Sequence, residues 1–350
     1  MDYMVGLGRK DVIGLDIGTT TVKIVQLHKE RKDWTVAAAG VVDISKKGDE
    51  SLSRKEANTQ RAIQNCVRVA GVKSSFAVCA VGGPDVAIRN FNFPQLEEDE
   101  IPNAVLFEAK QVCPFPTNDI AVDYQLCRNG SDRTYGYLVA VTNRLVRSRG
   151  QLAKKGRLDC VLMDVEGLAL LNCFCEVEKP SAGHGVAILN IGGAYTTLAI
   201  QGDDEQPFVR NISFGVEDIK KHLVDSNQMT PDQADKSLAE EVQDTSTNTY
   251  EVLVRTGGPL VADIGKTIRY YGAQKGCFVI EKILLCGGGA MLGGMVQMLS
   301  DSLAVKVELW NPLQKLRCQT RMLKGVLLKN VVHKNGPAMA VATGLAMRTI

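Results

Sequence analysis

The 350-residue sequence has no apolar run approaching the roughly 18 residues that cross a bilayer. It also has almost no charge imbalance, with 41 Lys and Arg against 39 Asp and Glu and a formal net charge of +2. That balance supplies no long-range pull toward nucleic acid, and none is expected as a partner. The start, Met1-Asp2-Tyr3-Met4, lacks the basic and apolar regions of a secretory signal. The end, Thr349-Ile350, follows a packing helix without the basic amphipathic tail that would lie on lipid. The expectation is a cytoplasmic protein with no direct membrane insertion.

Metal and redox signatures are missing as well. The 10 cysteines form no CxxC, and the closest pair is Cys173 and Cys175. Cys79, Cys160 and Cys286 sit in apolar segments and read as small reduced hydrophobes. Four isolated histidines, His28, His184, His222 and His333, do not make a zinc site. No GxxxxGK[ST] loop occurs, and no GxGxxG follows a first strand, which argues against P-loop and Rossmann nucleotide binding.

What is present is enough apolar sequence, 45%, for a sizeable core in two to three domains of about 100–200 residues. Residues 12–27 read VIGLDIGTTTVKIVQL: an apolar strand, a Gly-centred turn and a strand of β-branched residues alternating with polar ones. A third strand follows at 34–42. Half a chain later, residues 186–200 read VAILNIGGAYTTLAI, the same device. A repeat at half-length suggests two similar domains facing each other across a cleft.

Between the repeats, 56–70 reads as a helix and Phe76–Val81 as a buried strand. Residues 84–156 look inserted: acidic Glu97-Glu98-Asp99-Glu100, a helix near 102–112, strands at Ile120–Leu126 and 136–142, then a helix over 144–155. After the second repeat, Thr230-Pro231 starts a helix, 243–249 reads as a loop, and 260–271 as a helix. A buried strand at 282–286 enters Gly287-Gly288-Gly289 and an apolar helix at 291–303. A last helix, 337–348, should pack back on a core.

Glycine lets a backbone approach phosphate oxygens closely, and hydroxyl side chains add donors. Asp16-Ile17-Gly18-Thr19-Thr20-Thr21 supplies both, with Lys23 on the next strand, and Asp16 is placed to hold Mg²⁺ through water. A strand ending in Gly287–Gly289 would let a flat ring and ribose lie on the backbone; the alternative is a tight strand-to-helix turn with no ligand.

Two phosphate hairpins followed by a Gly-rich turn resemble the actin-like ATPase superfamily. Within it, the resemblance is to the type IV pilus assembly proteins of the PilM family, relatives of the cell-division protein FtsA. It runs nearly end to end, through FEAKQVCPFPTNDIAVDYQL (107–126), LVAVTNRLV, LDCVLMDVEGLALLN, RNISFG (210–215), ADK (234–236), VELWNPL (307–313) and ATGLAMR (342–348). It implies an α/β actin-like fold in two domains around a nucleotide cleft. Domain I would span 1–182 with the insertion at about 84–156, domain II 183–336, and the helix of 337–350 would pack back on domain I.

By the same resemblance, Asp16, Gly18, Thr19, Thr20 and Thr21 form the first phosphate loop with Lys23. Asn190, Gly192, Gly193 and Thr196 form the second. Asp263, in place of a family Glu, would contact the ribose; Lys266 would lie near the base; Gly287, Gly288, Gly289 and Met291 would hold the adenosine. Glu166 would orient an attacking water, or else is a solvated first-turn Glu favourable to the helix dipole. Asn190 stands where the superfamily carries Asp, which removes a charge near Mg²⁺ and a proton acceptor. ATP and Mg²⁺ binding with slow or absent hydrolysis follows.

The implied function is an ATP-binding scaffold of a type IV pilus platform, or of a related secretion machine. It would be peripheral on the inner membrane, gripping the cytoplasmic N-terminal tail of a PilN-like partner. Other platform proteins and assembly ATPases are further implied partners. Phe91, Phe93, Phe107 and Phe115 are candidates for lining the peptide groove, or plain core. A small-molecule kinase on this fold would need a catalytic Asp that no residue claims. An FtsA-like membrane filament would need the missing tail.

Overall fold

The computed structural model describes residues 12–30, 33–44, 51–127, 133–180, 185–201, 206–227, 229–239, 248–274, 279–318 and 331–348. Its first sheet begins with β1 (Ile13–Ile17), β2 (Thr21–Glu30) and β3 (Asp33–Asp43), an antiparallel meander. After helix α1 (Leu52–Ala70), β4 (Phe76–Val81) returns parallel to β1. The second half repeats the plan. There β9 (Gly185–Ile191), β10 (Thr196–Gln201) and β11 (Pro207–Ile212) form the meander, and β12 (Ile280–Cys286) returns parallel to β9.

Strand order makes the duplication plain. The six-stranded sheet runs β14-β3-β2-β1-β4-β8, with β8 at Asp159–Val165 and β14 at Arg317–Cys318. The five-stranded sheet runs β11-β10-β9-β12-β13, with β13 at Lys306–Leu309. The central strands are apolar on both faces, as strands covered by helices on both sides must be.

The inserted stretch folds as a separate three-stranded sheet, β5-β7-β6, made of β5 (Val86–Pro94), β6 (Ile120–Leu126) and β7 (Arg133–Thr142). Helix α2 (Ile101–Val112) packs on it. Phe91 is buried there and stacks on Phe93 at 4.8 Å, and Phe115 packs on the same cluster. Those three are core; Phe107 is 65% exposed. Helix α3 (Asn143–Lys155), expected within the insertion, packs instead beside α1 on the six-stranded sheet and leads to β8, so the separate sheet ends at Thr142.

At the other end of the chain, Ala340–Ala346 lies between β1 and helix α4 (Glu166–Glu178). Only glycine permits the approach, because a Cβ at Gly14 would overlap Ala342 O and one at Gly344 would overlap Ala169 O. The C-terminal segment therefore packs against the first sheet. Part of it is a 3₁₀ turn, Gly336–Met339.

Several sequence expectations shift. The helix at 260–271 is the end of one longer helix, α7 (Asn248–Gly272), which runs through Pro259. Gly257-Gly258-Pro259 looks like a break, but Val252, Leu253, Leu260 and Ile264 are all buried in the second core, and that packing overrides the lost hydrogen bond. The helix expected at 291–303 is instead a 3₁₀ turn, Gly288–Met291, followed by α8 (Met295–Ser302). Gly294, at φ 82°, separates them. Thr230 starts α6 (Pro231–Ala239) with a reciprocal cap, its hydroxyl accepting from Gln233 N at 3.3 Å and its N–H donating to Gln233 Oε1 at 2.8 Å. Most of the loop expected at 243–249, and the 182/183 boundary, lie outside the described residues; 248 and 249 open α7.

Candidate functional site

The two glycine hairpins close in the same way. Gly18 N–H donates to Thr21 O at 3.0 Å, and Gly192 N–H donates to Tyr195 O at 3.0 Å. They meet tip to tip, since a Cβ at Gly193 would overlap Thr19 Oγ1. Between and behind them is a cleft of about 1270 Å³, above the roughly 300–1,000 Å³ of ordinary small-molecule pockets.

Most of the residues anticipated from sequence border this cleft. Asp16, Gly18, Thr19, Thr20, Thr21 and Lys23 line one wall. Asn190, Gly192 and Gly193 line the opposite wall, and Gly287, Gly288, Gly289 and Met291 the back. Lys23 Nζ lies 3.0 Å from Asp16 Oδ2, so the buried carboxylate has its countercharge within the site. Among the three glycines only Gly288 has open space where a side chain would point. Gly287, at φ 89°, spends its N–H on Pro337 O at 2.9 Å, and Gly289 is packed on Ile191.

Three anticipated residues are elsewhere. Thr196 is fully buried and its hydroxyl donates to Phe214 O at 2.8 Å, which commits it to the corner after β11. Asp263 and Lys266 are on α7 and are not among the cleft-lining residues. Lys266 is exposed and Asp263 half-buried, and their charged groups are 3.9 Å apart, an i,i+3 pair. Charged residues reach the cleft instead from α5 (Val216–Asn227), with Glu217, Lys220, Lys221 and Asp225, and from α6, with Asp232 and Asp235; Lys220 Nζ lies 2.6 Å from Asp235 Oδ2. The signal for the α5 residues was the run Glu217-Asp218-Ile219-Lys220-Lys221, which follows Gly215 and Val216 just after the second meander.

Glu166 is not a solvated helix-start residue. It is 6% exposed, lines the cleft, and accepts a hydrogen bond from Tyr195 Oη at 2.6 Å. A Cβ at Gly82 would overlap its carboxyl group. Burial, and after it the charge of Asp16, push the Glu166 carboxyl up to about 7, against the Tyr195 hydrogen bond and the charges of Arg149 and Lys23. Such a carboxyl exchanges protons near neutrality, the property of a general acid or base.

Two duplicated sheets with glycine hairpins facing over a cleft define an actin-like fold. The solved structure of a PilM-PilN type IV pilus biogenesis complex has it, with a TM-score of 0.81 at 22% identity over 97% of this chain and 99% of that one. The ethanolamine utilization protein EutJ from Carboxydothermus hydrogenoformans matches at TM-score 0.55 and 13% identity, over 97% and 90% of the two chains. A diol dehydratase-reactivating factor in nucleotide-free form matches at 0.53 and 10%, over 96% and 99%. The profile of the type IV pilus assembly protein PilM family matches residues 14–350, and the chain belongs to that family. No described helix is long and apolar enough to cross a membrane.

Proposed function

We propose that this chain is an ATP-binding scaffold of the inner-membrane assembly platform of a type IV pilus, or of a related type II secretion machine. The observation that carries the nucleotide reading is the pair of facing hairpins, each closed by the same glycine hydrogen bond over one cleft. Thr19, Thr20, Thr21, Gly192 and Gly193 present hydroxyls and backbone where a polyphosphate would lie. Lys23 would supply its countercharge. Asp16 fits Mg²⁺ held through water, because its carboxylate borders the cleft and its present partner is a lysine able to move to a phosphate. Lys220, Lys221, Glu217 and Asp235 replace Asp263 and Lys266 as the polar groups nearest a nucleoside.

Bound Mg²⁺ would neutralise phosphate charge; the chain's own groups govern any hydrolysis. Asn190 can accept a hydrogen bond from water but no proton, and Glu166 is only partly ionised near pH 7. The missing carboxylate at Asn190 favours binding with slow turnover, and leaves Glu166 as the group able to take a proton from water.

The partner reading rests on family membership and on the PilM-PilN complex as a relative of the same fold. A PilN-like protein would present its cytoplasmic N-terminal tail to this chain, holding it peripherally at the inner membrane. Leu106 and Phe107 on α2, with Leu126 on β6, are exposed apolar anchors of the inserted subdomain. The halves 1–182 and 183–336 would act as the two jaws of the cleft.

Thermal unfolding with Mg²⁺-ATP, with a peptide of the platform partner's tail, and with both tests this reading. Each ligand should raise the midpoint, by about 2.7 kcal/mol of stability at a hundred times its dissociation constant, while phosphate release stays near background. No shift with ATP removes the nucleotide role; no shift with peptide removes the partner role.

A further inference from the structure

Net charge near zero conceals a strong segregation of charge. Helices α1 and α3 lie side by side on one face of the six-stranded sheet, their inner residues Ile63, Cys66, Leu152 and Ala153 buried in one core. Their outer faces are basic. Arg54, Arg61 and Arg68 recur every seven residues along α1, and Arg144, Arg147 and Lys154 form a second stripe on α3; all six are exposed, with Arg144 at the stripe's end reaching Asp85 at 3.6 Å. Helix α3 contains no Asp or Glu, and the sole acid of α1, Glu56, is engaged by Lys155 at 2.9 Å. The turn closing α3 adds Arg157 at φ 67°, a left-handed position that Gly or Asn adopts at less cost. Exposed acids gather elsewhere, as in Glu97-Glu98-Asp99-Glu100 of the inserted subdomain.

From this geometry we infer that the α1–α3 face is an electrostatic docking surface for an anionic lipid bilayer. Arg54 and Arg68 are about 21 Å apart along the helix at 1.5 Å per residue. The second stripe runs on a neighbouring helix about 8–10 Å away. Two such rows make an area of positive charge, which suits a plane of lipid headgroups better than a single phosphate line. Neither helix contains an aromatic residue, so the face has no platform for stacking bases. Lysines and arginines at such a surface act without insertion, consistent with the lack of any membrane-crossing helix among the described residues. The inference is independent of the nucleotide reading.

Co-sedimentation of the full chain with vesicles of phosphatidylcholine alone, or with phosphatidylglycerol added, tests it. Binding should require phosphatidylglycerol and fall as salt rises past the physiological range, where screening shortens to about 8 Å and less. At about fivefold per basic residue, Arg61→Gln/Arg68→Gln and Arg147→Gln/Lys154→Gln should each weaken binding about 25-fold, with unchanged thermal unfolding. The control Lys282→Gln/Lys306→Gln removes equal charge from the other sheet and should bind as wild type. Equal binding to both vesicle types, or helix variants that bind like wild type, overturns the assignment. So does displacement from the vesicles by a short DNA duplex, which would make the face a polynucleotide site.

Discussion

Tyr195 Oη donates to Glu166 Oε1 at 2.6 Å, joining the second glycine hairpin to the first residue of α4. The bond crosses from one duplicated half to the other, and the Tyr195 ring rests against Gly83, where a Cβ would crowd it. Burial, and after it the Glu166 charge, push the Tyr195 phenol well up, so it stays a donor at neutral pH. A second strut runs alongside: Asn211 Nδ2 donates to Gly83 O at 2.8 Å.

Glu166 should make stability fall with rising pH. Its folded-state value of about 7 lies above the ordinary 4.5, so the neutral carboxyl favours the folded chain. That contribution is complete below pH 4.5 and is lost as pH rises through about 7. Glu166→Gln carries no such titration and keeps an acceptor for Tyr195. Urea unfolding from about pH 5 to about pH 8 should show wild type losing ground to the variant, by up to about 3 kcal/mol. A difference that does not change with pH would refute the assignment.

Tyr195→Phe removes the hydrogen bond that favours the ionised carboxylate. The Glu166 midpoint should then move higher than its present value near 7, as followed by carboxyl carbon NMR. An unchanged midpoint would mean that the bond does not form in solution.

Gly193→Ala should separate the hairpin tips. The added methyl overlaps Thr19 Oγ1, and the thermal shift caused by Mg²⁺-ATP should shrink or vanish. Thr19→Ala in the same chain vacates the space and should restore part of the shift. Failure of the second substitution to rescue would place the defect elsewhere.

Asn190→Asp returns a carboxylate to the end of β9. Stabilisation by ATP should become more dependent on Mg²⁺, because a second negative charge then faces the metal position proposed at Asp16. Midpoints titrated with Mg²⁺ at fixed ATP would check this; an identical Mg²⁺ dependence in both chains would count against Asp16 as a metal-facing group.

Gly14→Ala tests the seat of the C-terminal segment. The new methyl meets backbone, Ala342 O, which no side-chain rotation relieves. A loss of about 1–3 kcal/mol in urea unfolding is the expected cost of overpacking. A loss below about 0.5 kcal/mol, the scale of an ordinary surface substitution, would show that this helix sits loosely.

The hairpins were legible because their information is local. Gly18 and Gly192 need only the turn they sit in, and the β-branched alternation after each is visible within a dozen residues. Asp263 and Lys266 were misplaced for the opposite reason. A Glu-like and a Lys-like residue one turn apart on a helix look alike wherever that helix packs, and only packing shows that α5 and α6, not this part of α7, border the cleft. Thr196 has the residue type for a phosphate site, but a fully buried hydroxyl is claimed by Phe214 O.

Strand periodicity, glycine punctuation and the half-length repeat thus carried the fold class and the two glycine hairpins, since each depends on neighbours in sequence. The raised carboxyl of Glu166, the pairing of Lys23 with Asp16, the use of Gly14 as the seat for a C-terminal helix already expected to pack back, and the basic face shared by α1 and α3 were decided only on folding. Burial, long-range charge and close backbone approach are properties of distance in space, and residues as far apart as Glu166 and Tyr195 acquire them only when the two halves come together.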